Sequence, residues 1–510
     1  HAFPRASSFA NPRRARLSQR PAAEATIRGS REREWKAITS AEPGAVIIHR
    51  GAHAKHPAQK YAHRVVPSRW HEKWKDFGED HDNGLHDPTL PAHLDAKSRW
   101  IVQGFHDPDI TLLNRSVPTP DTSDVPLALQ MIASIQAQAY IGDVKSAFMQ
   151  GAPRQRTEPL YATAPPGGFP GIPEDEFVLV ELIGEVYGLI SGPPGWRRTL
   201  FSEFKALGFK NHPLAPCVVL MYDAPFSTKK NFGENEKLSA EYANIDRVSP
   251  DASDSRLWDT PLEFAGLEEH RKPKSQQLEL QLVGIVVVET DDLLLGGKGD
   301  KFEGAIEHLK RRFKFGSWQS LMQKEKDYGG HTLKQIPDYG FLITMTRYLM
   351  NRAREIAFPK GRCKDPNADA NPGEITGMRG LIGSMSWATR EGMPYGAGDT
   401  SILASTLPQP KVKDLQEANA ALRRLKQNDV PIRIRPIPLV RLRLLLFADS
   451  SLGNAKGGSS QLGHLLCSVD KSIFDGLEAD CSALIWKSHK MRRAGANTLF
   501  CESNGLSEGL

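Results

Sequence analysis

The feature that most constrains this sequence is an apolar run that meets an acidic turn and then a second apolar run. Residues 280–288 (LQLVGIVVV) lead into Glu289, Thr290, Asp291 and Asp292, and residues 293–297 (LLLGG) follow. Two apolar strands around a short polar turn predict a β-hairpin. Strands that are apolar on both faces are typical of a sheet interior. The sequence therefore predicts a buried hairpin with two adjacent carboxylates at its tip.

A third carboxylate, Asp143, lies at a predicted strand end, directly before a helical pattern, and residues 125–139 form another helical pattern upstream. Chain geometry can bring Asp143 close to Asp291 and Asp292. Three neighbouring carboxylates repel one another unless a cation neutralises them, and magnesium accepts such oxygens while leaving positions for phosphates. Two such ions about 4 Å apart can activate a hydroxyl and stabilise a leaving oxygen. From these residues alone, ordinary turn or helix-cap roles remain the alternative.

Charge is distributed unevenly along the 510 residues, a length typical of three or four domains. Residues 1–36 hold nine Lys and Arg against three Glu, which equals the net charge of +6 of the whole chain. We interpret residues 1–30 as a disordered basic leader. Such an arm can bind phosphate backbones without reading sequence. A leader that is merely solvated is the alternative.

The cysteine pattern and hydropathy exclude several protein classes. Five cysteines lie far apart without zinc spacing, which argues against a secreted disulfide framework. No apolar run reaches the ~20 residues that span a bilayer. We therefore expect no membrane partner and an intracellular location, in a cytoplasmic particle or the nucleus. Both chain ends lack the features of natural termini, so we expect a piece of a longer product.

The rest of the chain divides by composition. Residues 223–275 are polar with little periodicity, which indicates a surface insertion. Strand patterns cover 64–67, 99–102 and 442–448 (the last ending at Asp449), helical patterns cover 301–313, 376–390 and 412–427, and a Pro/Arg-rich connector covers 431–438.

Six blocks of sequence resemble copia-type reverse transcriptases. Residues 143–151 (DVKSAFMQG) are similar to motif A of that family, DVKTAFLNG. The other blocks, in the family's order around it, are residues 97–105 (KSRWIVQGF, like KARLVARGF), 164–168 (APPGG, like QPPGF), 187–209 (like LYGLKQAPRAW…LGF), Asp291–Asp292 (in the place of the YVDD box) and 379–390 (RGLIGSMSWATR, like YRSAVGSLMYLATR). The order of the blocks is far more specific than any one of them.

The resemblance implies an α+β fold, a right-hand polymerase with fingers, palm and thumb, followed by a truncated RNase H-like α/β domain. It divides the chain into fingers and first part of the palm (31–222), the polar insertion (223–275), the palm with the catalytic hairpin (276–345), thumb and connector (346–438) and the RNase H-like unit (439–510). The implied function is RNA-directed DNA polymerase. Its partners would be an RNA template, a DNA primer, RNA–DNA hybrid and deoxynucleoside triphosphates, with two magnesium ions or manganese as cofactor. The oligomeric state stays open.

The resemblance also assigns roles to residues. Asp143 would be the palm carboxylate that binds both metals, Asp291 the second, and Asp292 would assist. Lys97 and Arg99 in the fingers would hold the incoming triphosphate, a task that suits the planar guanidinium fork. Without the family context, Lys97 and Arg99 would be a solvated strand face.

Phe148, five residues after Asp143, would pack under the sugar and exclude a 2′-hydroxyl by steric clash. Deoxynucleotides are then the expected substrates. Without the resemblance, Phe148 would be an ordinary core residue.

Departures from the family pattern bear on activity. Glu289 and Thr290 replace the family's Tyr and Val, and Ile190 and Ser191 replace its Lys and Gln. On a continuous strand Glu289 would share a face with Asp291 and add negative charge near the primer. The alternative to an enzyme is thus a catalytically decayed element that only binds nucleic acid.

The C-terminal region resembles copia-type RNase H. Residues 460–464 (SQLGH) are similar to STSGY, 485–488 (IWKS) to ISWKS, and 498–502 (TLFCE) to STEAE. The resemblance implies that Asp449 and Glu502 are the first two metal ligands. We expect this site to be incomplete, since the family has further carboxylates after that helix.

Overall fold

The computed structural model describes residues 21–41, 44–76, 94–113, 115–152, 156–223, 281–359, 361–455, 458–491, 495 and 497–509. It is a mixed α/β structure, which agrees with the α+β class expected from the sequence. The helices are α1 (Pro21–Thr39), α2 (Ala52–Lys60), α3 (Asp124–Ser134), α4 (Ala147–Gln150), α5 (Gly192–Ala206), α6 (Asp300–Arg312), α7 (Thr346–Arg352), α8 (Pro372–Glu391), α9 (Ala397–Thr406), α10 (Val412–Gln427) and α11 (Thr498–Gly509). The strands are β1 (Val46–Arg50), β2 (Val65–Val66), β3 (Ser68–Asp76), β4 (Leu94–Val102), β5 (Gln138–Val144), β6 (Tyr161–Thr163), β7 (Val178–Leu182), β8 (Phe209–Asn211), β9 (Val218–Asp223), β10 (Gln281–Glu289), β11 (Asp292–Gly297), β12 (Phe315–Ser320), β13 (Lys326–Tyr328), β14 (His331–Gln335), β15 (Phe341–Thr344), β16 (Ile432–Ile434), β17 (Leu442–Ala455), β18 (Ser459–Asp470) and β19 (Cys481–Lys490).

The largest sheet carries the predicted hairpin at its centre. Among the described residues it has six strands in the order β12-β5-β11-β10-β9-β8. The hairpin β10–β11 closes through a two-residue turn, because Glu289 pairs with Asp292. Strand β11 is flanked by β10 and β5. The prediction of a hairpin buried inside a sheet is therefore confirmed.

Alternate residues of these strands enter two different cores, as the two-residue period of a strand requires. Ile141, Val287 and Leu294 join α3 in one cluster. Val144, Val288 and Leu293 join α5 and α6 in the other. Since both faces of the sheet are covered by apolar clusters, the central strands read as nearly continuous apolar runs.

A two-stranded ribbon of β3 and β4 stands beside a four-stranded sheet of order β1-β7-β6-β2 in the described part of the chain. Helix α1 packs on this region through Trp35, which stacks on Phe169 with ring centroids 3.9 Å apart. The interpretation of residues 1–30 as a disordered leader is therefore wrong for residues 21–30, which belong to α1. Residues 1–20 lie outside the described residues. Burial of one face of the helix against the ribbon explains why composition misled here.

The C-terminal half contains a helical cluster and two further sheets. Helices α7, α8, α9 and α10 share one apolar core. The predicted helices at 301–313, 376–390 and 412–427 are confirmed as α6, α8 and α10. The antiparallel sheet β17-β18-β19 contacts α8 through Trp486, whose indole N–H donates to the carbonyl of Thr389 (2.7 Å).

Two predicted boundaries are wrong. The helical pattern at 125–139 ends as a helix at Ser134, because Gln136 takes a left-handed conformation (φ 53°) and β5 starts at Gln138. Strand β17 continues past Asp449 to Ala455, since Asp449 pairs with Gly463 of β18 inside the ladder. The polar insertion at 223–275 lies outside the described residues, apart from Asp223 at the end of β9.

In the described ranges, none of the helices is both long and apolar enough to cross a bilayer.

Candidate active site

Three carboxylates lie in one row across neighbouring strands. Asp143 of β5 is the cross-strand partner of Asp292 of β11, and Asp292 is the partner of Glu289 of β10. Residues directly opposite one another in an antiparallel pair project from the same face. Ser317 of β12 extends the row, because it pairs with Asp143. The sequence prediction that Asp143 and the hairpin carboxylates come together is thus confirmed.

The turn between β10 and β11 is strained and tied to its surroundings. Thr290 has a φ of 58°, in the left-handed region that a β-branched residue rarely adopts. The indole N–H of Trp196 donates to the Thr290 carbonyl (2.6 Å), and the Val144 N–H donates to the Asp291 carbonyl (2.9 Å). Outliers of this kind cost about 1–3 kcal/mol and cluster at functional sites. These two bonds fix the tip beside the C-terminal end of β5.

The site carboxylates strongly perturb one another. Burial, followed by the charges of Asp291, Asp143 and Glu289, raises the pKa of Asp292 to about 7. Burial also raises the pKa of Asp291, and the charge of Asp143 adds to that effect. Among the described residues no salt bridge neutralises these side chains, although Lys326 lowers the pKa of Asp292 in part. The row is therefore a site of concentrated negative charge.

Glu289 lies in a different place from the one expected. Asp291 is in the turn and not on the strand, so Glu289 does not share a strand face with Asp291 and instead stands opposite Asp292. Burial raises the pKa of Glu289, and the nearby charge of His331 lowers it. The extra charge is thus directed at Asp292 and at the turn between β13 and β14. The prediction from the two-residue period of a strand was wrong because the hairpin turn interrupts the strand between Glu289 and Asp291.

Cations of the ribbon face the carboxylates. Lys97 pairs with Lys73, and Arg99 pairs with His71, so these four side chains project from one face of β3–β4. Arg99 and Lys97 both lower the pKa of Asp291. Burial lowers the pKa of Lys97, and neighbouring cations lower it further, while Asp143 raises it. The structure therefore places Lys97 and Arg99 within electrostatic reach of the carboxylates.

An aromatic platform lies beside Arg99. The Arg99 guanidinium stands 4.6 Å from the ring centroid of Tyr187. The ring of Phe148 meets Tyr187 edge-on, with centroids 5.7 Å apart. Burial raises the pKa of the Tyr187 phenol, and the charge of Arg99 acts against that effect. Phe148 is half-buried rather than fully enclosed, so its ring borders the site.

Gly188 explains how Tyr187 reaches this position. A Cβ at Gly188 would come within 2.0 Å of the Val102 carbonyl oxygen, and the residue has a φ of 94°. The Val102 N–H donates to the Tyr187 carbonyl (2.9 Å). Only glycine permits both this close approach and this backbone conformation. The Tyr-Gly-Leu block thus holds the aromatic platform against the end of β4.

The donor chemistry of Asp143, Asp291 and Asp292 suits a hard divalent cation. Carboxylate oxygens are the ligands that magnesium accepts, and a bound cation would replace their mutual repulsion by attraction. Within the described ranges, no three His, Cys, Asp or Glu side chains already stand in an arrangement that could hold a metal ion. The observation that supports the fit is the cross-strand pairing of Asp143 with Asp292, beside the turn that carries Asp291.

The two RNase H candidates lie on elements that pack together. Asp449 is exposed on β17, and its side chain accepts the N–H of Ser450 (2.8 Å). Helix α11 carries the half-buried Glu502, and a Cβ at Gly505 of that helix would stand 3.5 Å from the Asp449 carbonyl oxygen. Residues three apart share a helix face. Glu502 therefore projects from the side of α11 that packs on the backbone of β17 at Asp449.

Several residues of the site were not predicted from the sequence. Tyr187 belongs to one of the six blocks that resemble the family, but the sequence analysis gave it no role. An aromatic residue directly before a glycine can indicate a place where the backbone closely approaches a strand. His331 left no pattern that sequence reasoning could have found, because its partner Glu289 is distant in the chain.

Neither the protein-family models nor the curated protein sequences that were compared with the chain give a match.

Proposed function

We propose that this chain is an RNA-directed DNA polymerase of the copia type, with Asp143, Asp291 and Asp292 as its metal-binding carboxylates. The observation that carries the proposal is the pairing of Asp143 with Asp292 at the tip of the buried hairpin. The sheet β12-β5-β11-β10-β9-β8 would be the palm, the β3–β4 ribbon part of the fingers, and α7–α10 the thumb. The order of the six sequence blocks supports the same conclusion.

When bound, magnesium would activate the primer 3′-hydroxyl and stabilise the developing phosphate charge. The chain's own residues supply the rest. Asp143 and Asp292 would provide hard oxygen ligands from paired strands, and Asp291 would provide a third from the adjoining turn. Lys97 and Arg99 orient the triphosphate from the opposite side, through point charge and planar fork respectively.

Phe148 would select the sugar. Its edge-on contact with Tyr187 and the close packing of Gly192, where a Cβ would lie 3.5 Å from the ring, restrain its position. A restrained aromatic ring rejects a 2′-hydroxyl by steric overlap. Deoxynucleoside triphosphates are accordingly the proposed substrates, with RNA template and DNA primer as partners. The proposed location remains intracellular.

A second candidate is a protein that binds nucleic acid without catalysis. It is favoured by the charge of Glu289 opposite Asp292 and by the pKa of about 7 at Asp292, which leaves that carboxyl partly protonated at neutral pH. The two candidates separate in a primer-extension assay on an RNA template with deoxynucleotides and magnesium, with EDTA as control. Extension supports the polymerase, whereas salt-sensitive binding of the primer–template without extension supports the second candidate.

A further inference from the structure

Strand β12 contains a β-bulge directly beside Asp143. Phe315 pairs with Val144 and Ser317 pairs with Asp143, so Gly316 between them is the extra residue of the bulge. A residue inserted in this way bends its strand, and bulges beside active sites re-aim the side chains around them. The bulge of β12 therefore lies against the one carboxylate that the proposed metal site takes from β5.

Gly316 lies closer to the Asp143 carboxylate than a residue with a side chain could. A Cβ at Gly316 would come within 2.8 Å of Oδ2 of Asp143. Non-bonded heavy atoms prefer separations of about 3.5 Å or more, so Oδ2 would have to move by more than about 0.5 Å. The backbone does not itself require glycine here, because the φ of Gly316 lies outside the left-handed region. The neighbouring carboxylate therefore explains the glycine, and the conformation of the chain does not.

The backbone of β12 is fixed on both sides of the bulge. Before it, the Lys145 N–H donates to the Lys314 carbonyl (2.9 Å). The Gln150 side chain binds Lys314 twice, since its Oε1 accepts the Lys314 N–H (2.8 Å) and its Nε2 donates to the Lys314 carbonyl (3.0 Å). After the bulge, the Trp318 ring covers Gly142, where a Cβ would come within 2.8 Å of that ring. A side chain added at the bulge would therefore displace the nearby carboxylate, which can rotate, rather than the strand.

We propose that Gly316 is a positioning residue of the metal site and sets its selectivity for magnesium over calcium. The glycine lets the Asp143 carboxylate lie against β12, which fixes the oxygen that Asp143 presents to an ion. Magnesium requires near-ideal octahedral coordination, whereas calcium accepts about six to eight oxygens in a flexible geometry. Because binding groups have to be held to within about 0.5 Å, displacement of Oδ2 should weaken magnesium binding more than calcium binding. This inference rests on the proposed polymerase function.

A backbone role and a positioning role of Gly316 predict different results for Gly316→Ala. If the glycine serves only the backbone of the bulge, the variant is less stable than the wild type whether or not a cation is present. If the glycine positions Asp143, the metal-free variant is at least as stable as the wild type. Rotation of the carboxylate relieves the clash, and alanine restricts the unfolded chain more than glycine does. The loss then appears only in cation binding.

The experiment follows urea unfolding of the whole chain during titrations with magnesium chloride and with calcium chloride, without nucleic acid. A cation that binds the folded protein raises the free energy of unfolding by an amount that gives its apparent Kd. The matched control is Gly304→Ala on α6, where an added Cβ would meet no atom within 4 Å. Asp143→Asn defines the stabilisation that arises from cations bound elsewhere on the chain.

We expect Gly316→Ala to raise the apparent Kd of magnesium about tenfold and that of calcium less than about threefold. Gly304→Ala should match the wild type for both ions. In primer extension, the magnesium concentration that gives the half-maximal rate should rise about tenfold in Gly316→Ala, while the deoxynucleotide KM changes less than about threefold.

Magnesium affinity that is equal in Gly316→Ala and the wild type, or losses that are equal for the two ions, overturn the proposal while the polymerase function stands. A metal-free Gly316→Ala that unfolds at a lower urea concentration than the wild type gives the glycine a backbone role and also overturns it. A wild type that extends no primer, but that magnesium stabilises more than it does Asp143→Asn and Gly316→Ala, overturns the polymerase function and keeps the positioning role. A wild type that magnesium stabilises no more than Asp143→Asn overturns the metal site and the inference together.

Discussion

Replacing Asp292 by Asn should stabilise the metal-free protein, which is the reverse of what most substitutions in a folded site do. The pKa of Asp292 is raised from 3.8 to about 7, first by burial and then by Asp291, Asp143 and Glu289. A carboxyl group whose folded-state pKa lies above its unfolded-state value binds its proton more tightly in the folded state. The stability contributed by the protonated Asp292 carboxyl is therefore complete below about pH 4 and is lost as the pH rises towards 7.

The magnitude follows from that interval. At about 1.4 kcal/mol per pH unit, the raised pKa of Asp292 costs about 4 kcal/mol of stability at pH 8. At pH 5 it costs about 2 kcal/mol, because the carboxyl is protonated in the folded state and ionised in the unfolded state. Relaxation of a half-buried site will reduce both figures. Asn keeps the size of the side chain and removes the charge, so Asp292→Asn should gain about 2 kcal/mol or more at pH 8 and less at pH 5.

The assay is urea unfolding at pH 5 and pH 8 in EDTA, with Asp175→Asn, an exposed acid in the loop before β7, as the matched control. Adding magnesium at pH 8 should stabilise the wild type more than Asp292→Asn, because a bound ion offsets the carboxylate repulsion. A variant that is less stable than the wild type at pH 8, or a difference that does not depend on pH, would refute the reasoning.

Three further outcomes follow from the site. Phe148→Ala should admit ribonucleotides, because the clash with the 2′-hydroxyl disappears; an unchanged ratio of deoxy- to ribonucleotide incorporation would make Phe148 a packing residue only. Glu289→Tyr should raise the single-turnover extension rate, because it removes a negative charge opposite Asp292. A gain of ~1.4 kcal/mol in transition-state stabilisation would raise that rate tenfold. Equal rates of the two proteins across a magnesium titration would contradict this. Gly188→Ala should lower the denaturation midpoint and raise the nucleotide KM, because a Cβ there would overlap the Val102 carbonyl; near wild-type values of both would show that β4 can shift without cost.

The sequence sufficed for those parts of the fold that depend on local pattern. The hairpin at residues 281–297 was predictable because its strands are apolar on both faces and its turn is polar. The helix that ends at Ser134 was predicted too long, since the left-handed Gln136 leaves no mark in hydrophobic periodicity. The fold of residues 21–30 was missed for a related reason: a helix rich in Arg and Glu is stabilised here by docking, not by its own composition.

The candidate site was predictable as a set of residues but not as a set of interactions. The carboxylates could be paired because strand ends and hairpin tips meet at one edge of a sheet. The face of Glu289 could not be assigned, because the period of two breaks at the turn that contains Asp291. The docking of α1 on β4 was out of reach altogether, since Ser30 and Arg33 meet their partners on β4 only in the folded chain.

The central claim is that Asp143 and the hairpin carboxylates form one catalytic site. Its most direct test is single-turnover primer extension by Asp143→Asn and Asp291→Asn beside measured primer–template affinity, again with Asp175→Asn as control. We predict that both site variants lose extension while their affinity for primer–template stays within about threefold of the wild type, because duplex binding depends on Lys and Arg and metal binding depends on the carboxylates. Extension at a near wild-type rate by either site variant would contradict the claim.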